Sequence, residues 1–380
     1  MEGLEVTPPF GNAFAGRTVL VTGHTGFKGA WLSLWLKELG ANVVGYALSP
    51  NDEPCLYSQL GLEKLVDSRI GDVRNAALLE KTVRETRPEI VFHLAAQSLV
   101  RLSYEQPAET FATNVQGTAN LLDAVRRTSS VRACQVITTD KCYENLETAR
   151  AYREDDRLGG RDPYSASKAC AEFVVSSYRN SFFPTGAVSV SSARAGNVIG
   201  GGDWARDRLI PDCVRALAAG QPALVRNPRS VRPWQFVLEP LSGYLRLAAL
   251  QFAEPARFAE AWNFGPEAGD SRTAAQVADL VVRAWGSGRW TSPNADPAAP
   301  HEAGQLRLDS GKARERLQWR PVYNVEESLA RSVAWYRASR ETGFDARAFS
   351  RRQISEYSDA ARTAGIAWAS NTAPAARTRA

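Results

Sequence analysis

Two short stretches carry residue types that can move protons. In Tyr164-Ser165-Ala166-Ser167-Lys168 the tyrosine and lysine are four apart, so a helix opening there puts both on one face. An ammonium beside a phenol favours the phenolate and lowers its pKa. A phenolate can take a hydroxyl proton while hydride leaves the same carbon for a nicotinamide. The second stretch is Thr138-Thr139-Asp140-Lys141-Cys142-Tyr143, at the end of an apolar run, Arg132–Thr138, that reads as a strand. From there Thr139 can hydrogen-bond the oxygen that Tyr164 deprotonates.

These residues need a frame, and the N-terminal region supplies its pattern. Val19–Thr22 reads as a short buried strand, followed by Gly23, Gly26 and Gly29 and then by helical apolar spacing from Ala30 to Leu39. A strand, a glycine turn and a helix start make a phosphate site. Gly23 permits the turn, Gly26 lets the backbone approach a pyrophosphate, and Gly29 lets the helix sit close on the strand. The helix N-terminus adds unpaired N–H groups and partial positive charge. His24 and Lys28, on either side of Phe27 in the same loop, are read as adding positive character; Lys28 could equally be a solvated lysine at a helix start.

Strands are expected at Asn42–Leu48, Leu65–Ile70, Glu89–Leu94, Arg132–Thr138 and Ala187–Ser192. Helices are expected at Asn75–Thr86, Pro107–Arg126 and from Tyr164 to about Ser181, with another over Val325–Tyr336. This alternation predicts an α/β fold: a doubly wound parallel Rossmann sheet with helices on both faces and ligand at the strand C-termini. Asp72, before Val73, could accept from an adenine amino group or cap the next helix. Ala95 and Ala96 are small enough for a cofactor to lie close. His93, inside an apolar strand, reads as a core histidine. The end of the second strand carries Leu48, Ser49 and Pro50 rather than an acidic residue, so it does not choose between NAD and NADP.

Composition narrows the classes. The chain has 380 residues, 44% hydrophobic and 23% charged, which suits a globular protein of two lobes. No apolar run is long enough to span a bilayer, and no basic-apolar leader opens the chain, so a cytoplasmic location is expected. Five dispersed cysteines fit reduced thiols. Three distant histidines give no metal-ligand spacing, so no metal is expected. A net charge of +5, spread along the chain, suits anionic small molecules better than nucleic acid, and no membrane partner is implied.

The chain resembles the extended short-chain dehydrogenase/reductase superfamily from about Arg17 to Tyr336, and within it is similar to the CDP-glucose 4,6-dehydratases. The resemblance rests on GHTGFKGAWL (23–32), HLAAQSLVRLSY (93–104), TTDKCYEN (138–145) and REDDRLGGRDPYSASK (153–168). ARAGNVIGGGDWARDRLIPD (193–212) and HEAGQLRLD (301–309) extend it. Lys141 stands where related dTDP- and GDP-sugar dehydratases usually carry Glu. The resemblance implies bound NAD, a CDP-glucose substrate and a homodimer paired through the Pro107 and Tyr164 regions. It implies that Tyr164 deprotonates the 4-hydroxyl, that Asp140, its pKa raised by burial, protonates the departing 6-hydroxyl, and that Lys141 removes the C5 proton. Asp140 could instead be a strand-end cap and Lys141 a simple hydroxyl or phosphate contact, with Glu144 and Glu154 as spare carboxylates.

By the same resemblance Gln97 and Asn197 contact the sugar nucleotide, Arg208 and Arg232 take its diphosphate, and His301 with Glu302 meets ribose or base. Arginine's planar fork suits phosphate, though either arginine could be a surface ion pair. Two departures stand out. Leu146–Ala151 replaces a tryptophan-containing segment, and Phe236 replaces a histidine; both stretches are expected near substrate. The alternatives are a nucleotide-sugar 4-epimerase, a dehydratase of another nucleotide sugar, or a nucleotide-sensing scaffold without turnover. The expected layout is an extension over 1–15 and a Rossmann domain over 16–195 plus about 236–262. A smaller, discontinuous C-terminal substrate lobe covers 196–235 and 263–340, and a polar, partly disordered tail covers 341–380.

Overall fold

The computed structural model describes residues 8–50, 54–184, 186–293 and 303–370. Six strands run β1 Thr18–Thr22, β2 Asn42–Ala47, β3 Asp67–Ile70, β4 Ile90–His93, β5 Ala133–Ile137 and β6 Ser189–Ala195. With Ala261–Phe264 they form a seven-stranded sheet in the order 261–264, β6, β5, β4, β1, β2, β3. Every pairing in it is parallel. The chain runs outward from β1 through β2 to β3, then crosses back to β4. The crevice where that order reverses, beyond the carboxyl ends of β1 and β4, is where such sheets bind ligand. Strands β1, β4 and β5 are apolar runs because helices cover both sheet faces.

The sequence underestimates β6, expected at 187–192 and found at 189–195. Its three serines are buried and each has a partner. Ser191 donates to Gln251 Oε1 at 3.3 Å, and Ser192 donates to Glu172 Oε2 at 2.7 Å. The helical stretch over 107–126 is interrupted at Ala112–Gln116 by a wider, π-type turn that carries Asn114 inward. The edge strand 261–264 ends two residues past the expected domain boundary at 262.

The ends of the chain differ most from expectation. An 18-residue helix, Ala346–Thr363, occupies the region read as a polar tail, and the chain stays packed to Ala369. Exposed arginines, Arg351, Arg352 and Arg362, hide its buried side, which carries Ile354 and Tyr357. Trp368 stacks on Phe10 at 4.8 Å and on Tyr357 at 5.7 Å, and meets Trp35 edge-on at 5.9 Å. The N-terminal and C-terminal segments therefore close together over helix α1, Phe27–Glu38. Residues 1–7 and 371–380 lie outside the described residues. Replacing Trp368 by Ala should cost about 3–5 kcal/mol of stability, read from urea unfolding. A loss below about 1 kcal/mol would mean that this aromatic cluster adds little.

Candidate active site

The glycine turn has the geometry its spacing implies. Gly23 has φ of +76°, and a Cβ there would lie 2.7 Å from the Ala95 nitrogen. A Cβ on Gly29 would lie 2.0 Å from the Gly23 carbonyl oxygen. Gly26, the residue capping α1, is exposed, and a Cβ there would meet only the Gly23 oxygen, at 3.4 Å. The first N–H groups of α1 are thus left open to an anion. Ala95, whose N–H donates to Thr22 Oγ1 at 3.3 Å, and Ala96 line the approach from β4. These residues fit a dinucleotide: the cradle is one that side chains would fill.

His24 is a correction. Its ring is buried beneath β2, where a Cβ on Gly45 would lie 2.3 Å from the imidazole, and its Nε2 meets Ser68 Oγ at 2.7 Å. Burial drives its pKa down to about 4, so it is neutral at pH 7 and adds no positive charge. Lys28 reaches the catalytic cavity instead. Desolvation brings it down to about 7, aided by Lys168 and Arg208 and opposed by Asp140. Asp72 accepts from Arg74 through its backbone N–H at 2.8 Å and its guanidinium at 2.6 Å. Asn75 takes the helix-capping role, accepting from Leu78 N–H at 3.0 Å. Val73 packs against Gly117, where a Cβ would be 2.7 Å away. His93 is buried, with Nδ1 2.7 Å from Thr22 Oγ1, and burial followed by the Lys168 charge brings it down to about 3.

The proton-moving residues meet at the end of β5. Thr139, Asp140, Lys141 and Tyr164 line one cavity. Tyr164 opens the helix Pro163–Phe182, whose first turn is capped by Asp162 accepting from Ser165 N–H at 2.9 Å. Thr139 caps the short turn Asp140–Cys142: its Oγ1 accepts from Lys141 N–H at 3.3 Å and donates to Asp140 Oδ1 at 3.0 Å. The same hydroxyl meets the Tyr164 phenol. Asp140 is buried, and its Oδ2 has no hydrogen-bond partner among the described residues. Lys141 is half-buried on the cavity wall.

The expected lowering of the Tyr164 pKa by Lys168 does not occur. Lys168 Nζ donates to the Ile137 carbonyl at 3.1 Å. Burial pushes the phenol up to about 12, with Thr139 and Arg208 pulling the other way. Lys168 is itself brought down to about 8 by burial, against the attraction of Glu172. Desolvation outweighs the neighbouring charges because both groups are buried by the end of β5, away from water.

Across the cavity stand Asn197, Arg208 and Arg232. Asn197 Oδ1 is buried without a partner among the described residues, an acceptor that a ligand hydroxyl or amine would satisfy. Arg208 donates to Asp203 Oδ2 at 2.8 Å and to Ser98 Oγ at 3.0 Å. Arg232 spends its Nη groups on the carbonyls of Val231, Ala303 and Gly304, so it braces the 303–304 backbone as well as lining the cavity. Gln97 is a second correction. Its amide donates to Leu99 O at 3.1 Å and Thr110 Oγ1 at 2.9 Å and accepts from Leu99 N–H at 2.5 Å, so both amide hydrogens are spent on the turn beside the cavity, and the residue does not line the cavity itself. Phe236 is a third: it is fully buried, 6.5 Å from Trp31, and does not line the cavity. Leu146 and Glu147, from the other altered segment, do line it. His301 and Glu302 lie outside the described residues.

Sequence reasoning missed Glu172 and Arg194 behind the site. Glu172 had a signal, since it continues the Tyr164–Lys168 column by another four residues; Arg194, alone in a strand, had none. Among the described residues no group of three or more His, Cys, Asp or Glu side chains is placed to hold a metal ion, and the cysteines are free thiols.

This sheet order, with a glycine turn at its crevice and a Thr–Tyr–Lys set facing it, defines an extended short-chain dehydrogenase/reductase. The chain belongs, more narrowly, to the GDP-mannose 4,6 dehydratase family, whose model matches residues 20–332. It is 50% identical over 355 residues to a CDP-glucose 4,6-dehydratase from Salmonella typhimurium, covering 92% of this chain and 98% of that one. Among solved structures, a dTDP-glucose 4,6-dehydratase from Streptomyces venezuelae with NAD bound matches at 25% identity and TM-score 0.71, covering 85% of this chain and 98% of that one. A UDP-glucose 4-epimerase from Thermus thermophilus in complex with NAD matches at 25% identity and TM-score 0.72, covering 84% and 99%.

Proposed function

We propose that the chain is an NAD-dependent nucleotide-sugar dehydratase that converts CDP-glucose to CDP-4-keto-6-deoxyglucose. The observation that carries this reading is the convergence of Asp140 and Lys141 with Tyr164 and Thr139 in one cavity beside the glycine turn. An epimerase needs the last two; only a dehydration needs an acid and a base at the neighbouring carbons.

The turn between Gly23 and Gly29 would hold NAD, which would supply the acceptor for the C4 hydride and the hydride returned to C6. Tyr164 takes the 4-hydroxyl proton, with Thr139 orienting the same oxygen. The new ketone acidifies the C5–H; Lys141, as the neutral amine, takes that proton and returns it to C5 when hydride reaches C6. Asp140, through the Oδ2 that no described residue satisfies, gives a proton to the 6-hydroxyl, which departs as water. Asn197, Arg208 and Arg232 support a nucleotide diphosphate on the opposite wall, in a substrate lobe drawn from 196–235 and 263–340. The strand-end acid that usually selects NAD is absent, so NAD rather than NADP rests on the family likeness.

Among the described residues no helix is long and apolar enough to cross a membrane; a cytoplasmic location follows the same reading. A homodimer is favoured by exposed Phe111, Phe173 and Phe182 on the helices of the Pro107 and Tyr164 regions.

The test is incubation with CDP-glucose, read by the alkaline absorbance of a 4-keto sugar. Turnover of a different nucleotide sugar instead would refute the substrate. Lys141→Met should keep C4 oxidation and slow dehydration about 10²–10⁴-fold, the range for loss of a general base. Unchanged dehydration in that variant would remove Lys141 from the chemistry.

A further inference from the structure

The turn that carries Asp140 and Lys141 is short, and both of its ends are tied to one buried ion pair. Glu172 and Arg194 lie with side chains 3% and 4% exposed, and Arg194 Nη2 donates to Glu172 Oε2 at 2.8 Å. Before the turn, Thr138 Oγ1 donates to Glu172 Oε1 at 2.5 Å. After it, Arg194 Nη1 donates to the Tyr143 hydroxyl at 2.8 Å, while the guanidinium carbon lies 4.9 Å from the Tyr143 ring centroid. Tyr143 in turn donates to Asn263 Oδ1 at 2.7 Å. Ser192 adds a bond to Glu172 Oε2. Residues 139–142 therefore hang between two anchors, Thr138 and Tyr143, that share one pair. Lys168, one helical turn before Glu172, holds the carbonyl of Ile137, so the helix grips two consecutive residues of the β5 end.

We propose that Glu172 and Arg194 form a positioning pair for the dehydration half of the reaction, fixing the two ends of the turn that presents Asp140 and Lys141. This deepens the dehydratase reading and rests on it. A buried pair of this kind is a weak source of net stability, because removing both charges from water costs about what their attraction returns. Its value here is geometric. For C4 oxidation Tyr164 stands on a fixed helix and Thr139 adjoins the Thr138 anchor, the end of the turn that stays tied to Glu172 when the Tyr143 anchor is loosened. Proton transfer at C5 and at the 6-hydroxyl instead needs two consecutive side chains farther along the turn held in register. A misplacement on the order of 1 Å in such a group costs about 10²-fold in rate. Burial alone would raise the Glu172 carboxyl, but the Arg194 charge and the bonds from Arg194, Thr138 and Ser192 bring it below the ordinary range, so the anchor keeps its charge at neutral pH.

Two variants loosen one anchor while sparing the catalytic side chains. Tyr143→Phe deletes the hydroxyl and leaves every buried charge in place; Arg194→Lys keeps the pairing to Glu172 but cannot also reach Tyr143. Each is loaded with NAD and given the nucleotide sugar that the wild type dehydrates. Release of the 4-keto-6-deoxy product and the near-ultraviolet absorbance of reduced nicotinamide are followed together. Dehydration should fall about 10- to 100-fold with KM and C4 oxidation changed less than about threefold, so that reduced nicotinamide builds up. A parallel fall in both steps, or no fall in dehydration, would overturn the proposal. Should Arg194→Lys fail to fold, Tyr143→Phe decides by the same criterion. Failure of the wild type on CDP-glucose counts against the substrate reading and leaves this comparison intact.

Discussion

Replacing Tyr164 by Phe is expected to slow C4 oxidation by about 10²–10⁴-fold, the usual worth of a positioned general base. No other described side chain has its combination of a phenol, a hydrogen bond to Thr139 and a place on the cavity wall. Substrate binding should survive, since the nucleotide is held across the cavity. A single-turnover experiment reads this directly: reduced nicotinamide should form far more slowly, with little change in Kd for the nucleotide sugar. A loss of affinity with oxidation unchanged would place the phenol in binding only. The pH dependence has a definite sign. Burial pushes the phenol up to about 12, so its ionised fraction grows as pH rises from 6. Lys168 is brought down to about 8 and loses its proton in the same range. If oxidation uses phenolate beside an ammonium, its rate should climb with pH below about 8 and level off above. A rate falling between pH 6 and 8 would contradict the assignment.

The second large effect belongs to Asp140. Asp140→Asn preserves size but removes the proton that the 6-hydroxyl needs, and dehydration should slow by about 10²–10⁴-fold. Oxidation at C4 should continue, so reduced nicotinamide accumulates and hydrogen at C5 exchanges with solvent without loss of water. The two variants therefore separate the reaction at the ketone: one stops before it, the other after. The structural basis is the unpartnered Oδ2, which no described residue satisfies, while Oδ1 is held by Thr139. Equal slowing of oxidation and dehydration in Asp140→Asn would show instead that its carboxyl braces the turn.

Much of the frame could be read residue by residue. The glycine spacing, the apolar runs of β1, β4 and β5 and the four-residue interval from Tyr164 to Lys168 are local patterns with local causes. Sequence reading failed where a side chain's use depends on a partner far along the chain. His24 looked like a loop cation, but it lies under Gly45, 21 residues on, and burial removes its charge. Gln97 looked like a ligand contact, but its amide hydrogens go to Leu99 and Thr110 and it does not line the cavity. The C-terminal helix looked like a tail because its arginines face water, while Tyr357 and Trp368 find their aromatic partners at Phe10 and Trp35.

From the amino-acid order alone came the parallel α/β class, the glycine turn between strand and helix and the four-residue interval from Tyr164 to Lys168, because each depends on periodicity or on near neighbours. Tertiary structure alone decided which way those side chains' charges fall. Tyr164 is driven upward and Lys168 downward because folding takes both out of water, and that penalty exceeds the opposing pull of Thr139 and Arg208 on the one and of Glu172 on the other. It also decided that Glu172 and Arg194, 22 residues apart, would meet behind the site, since only the pairing of β5 with β6 and the helix laid across them brings the two together.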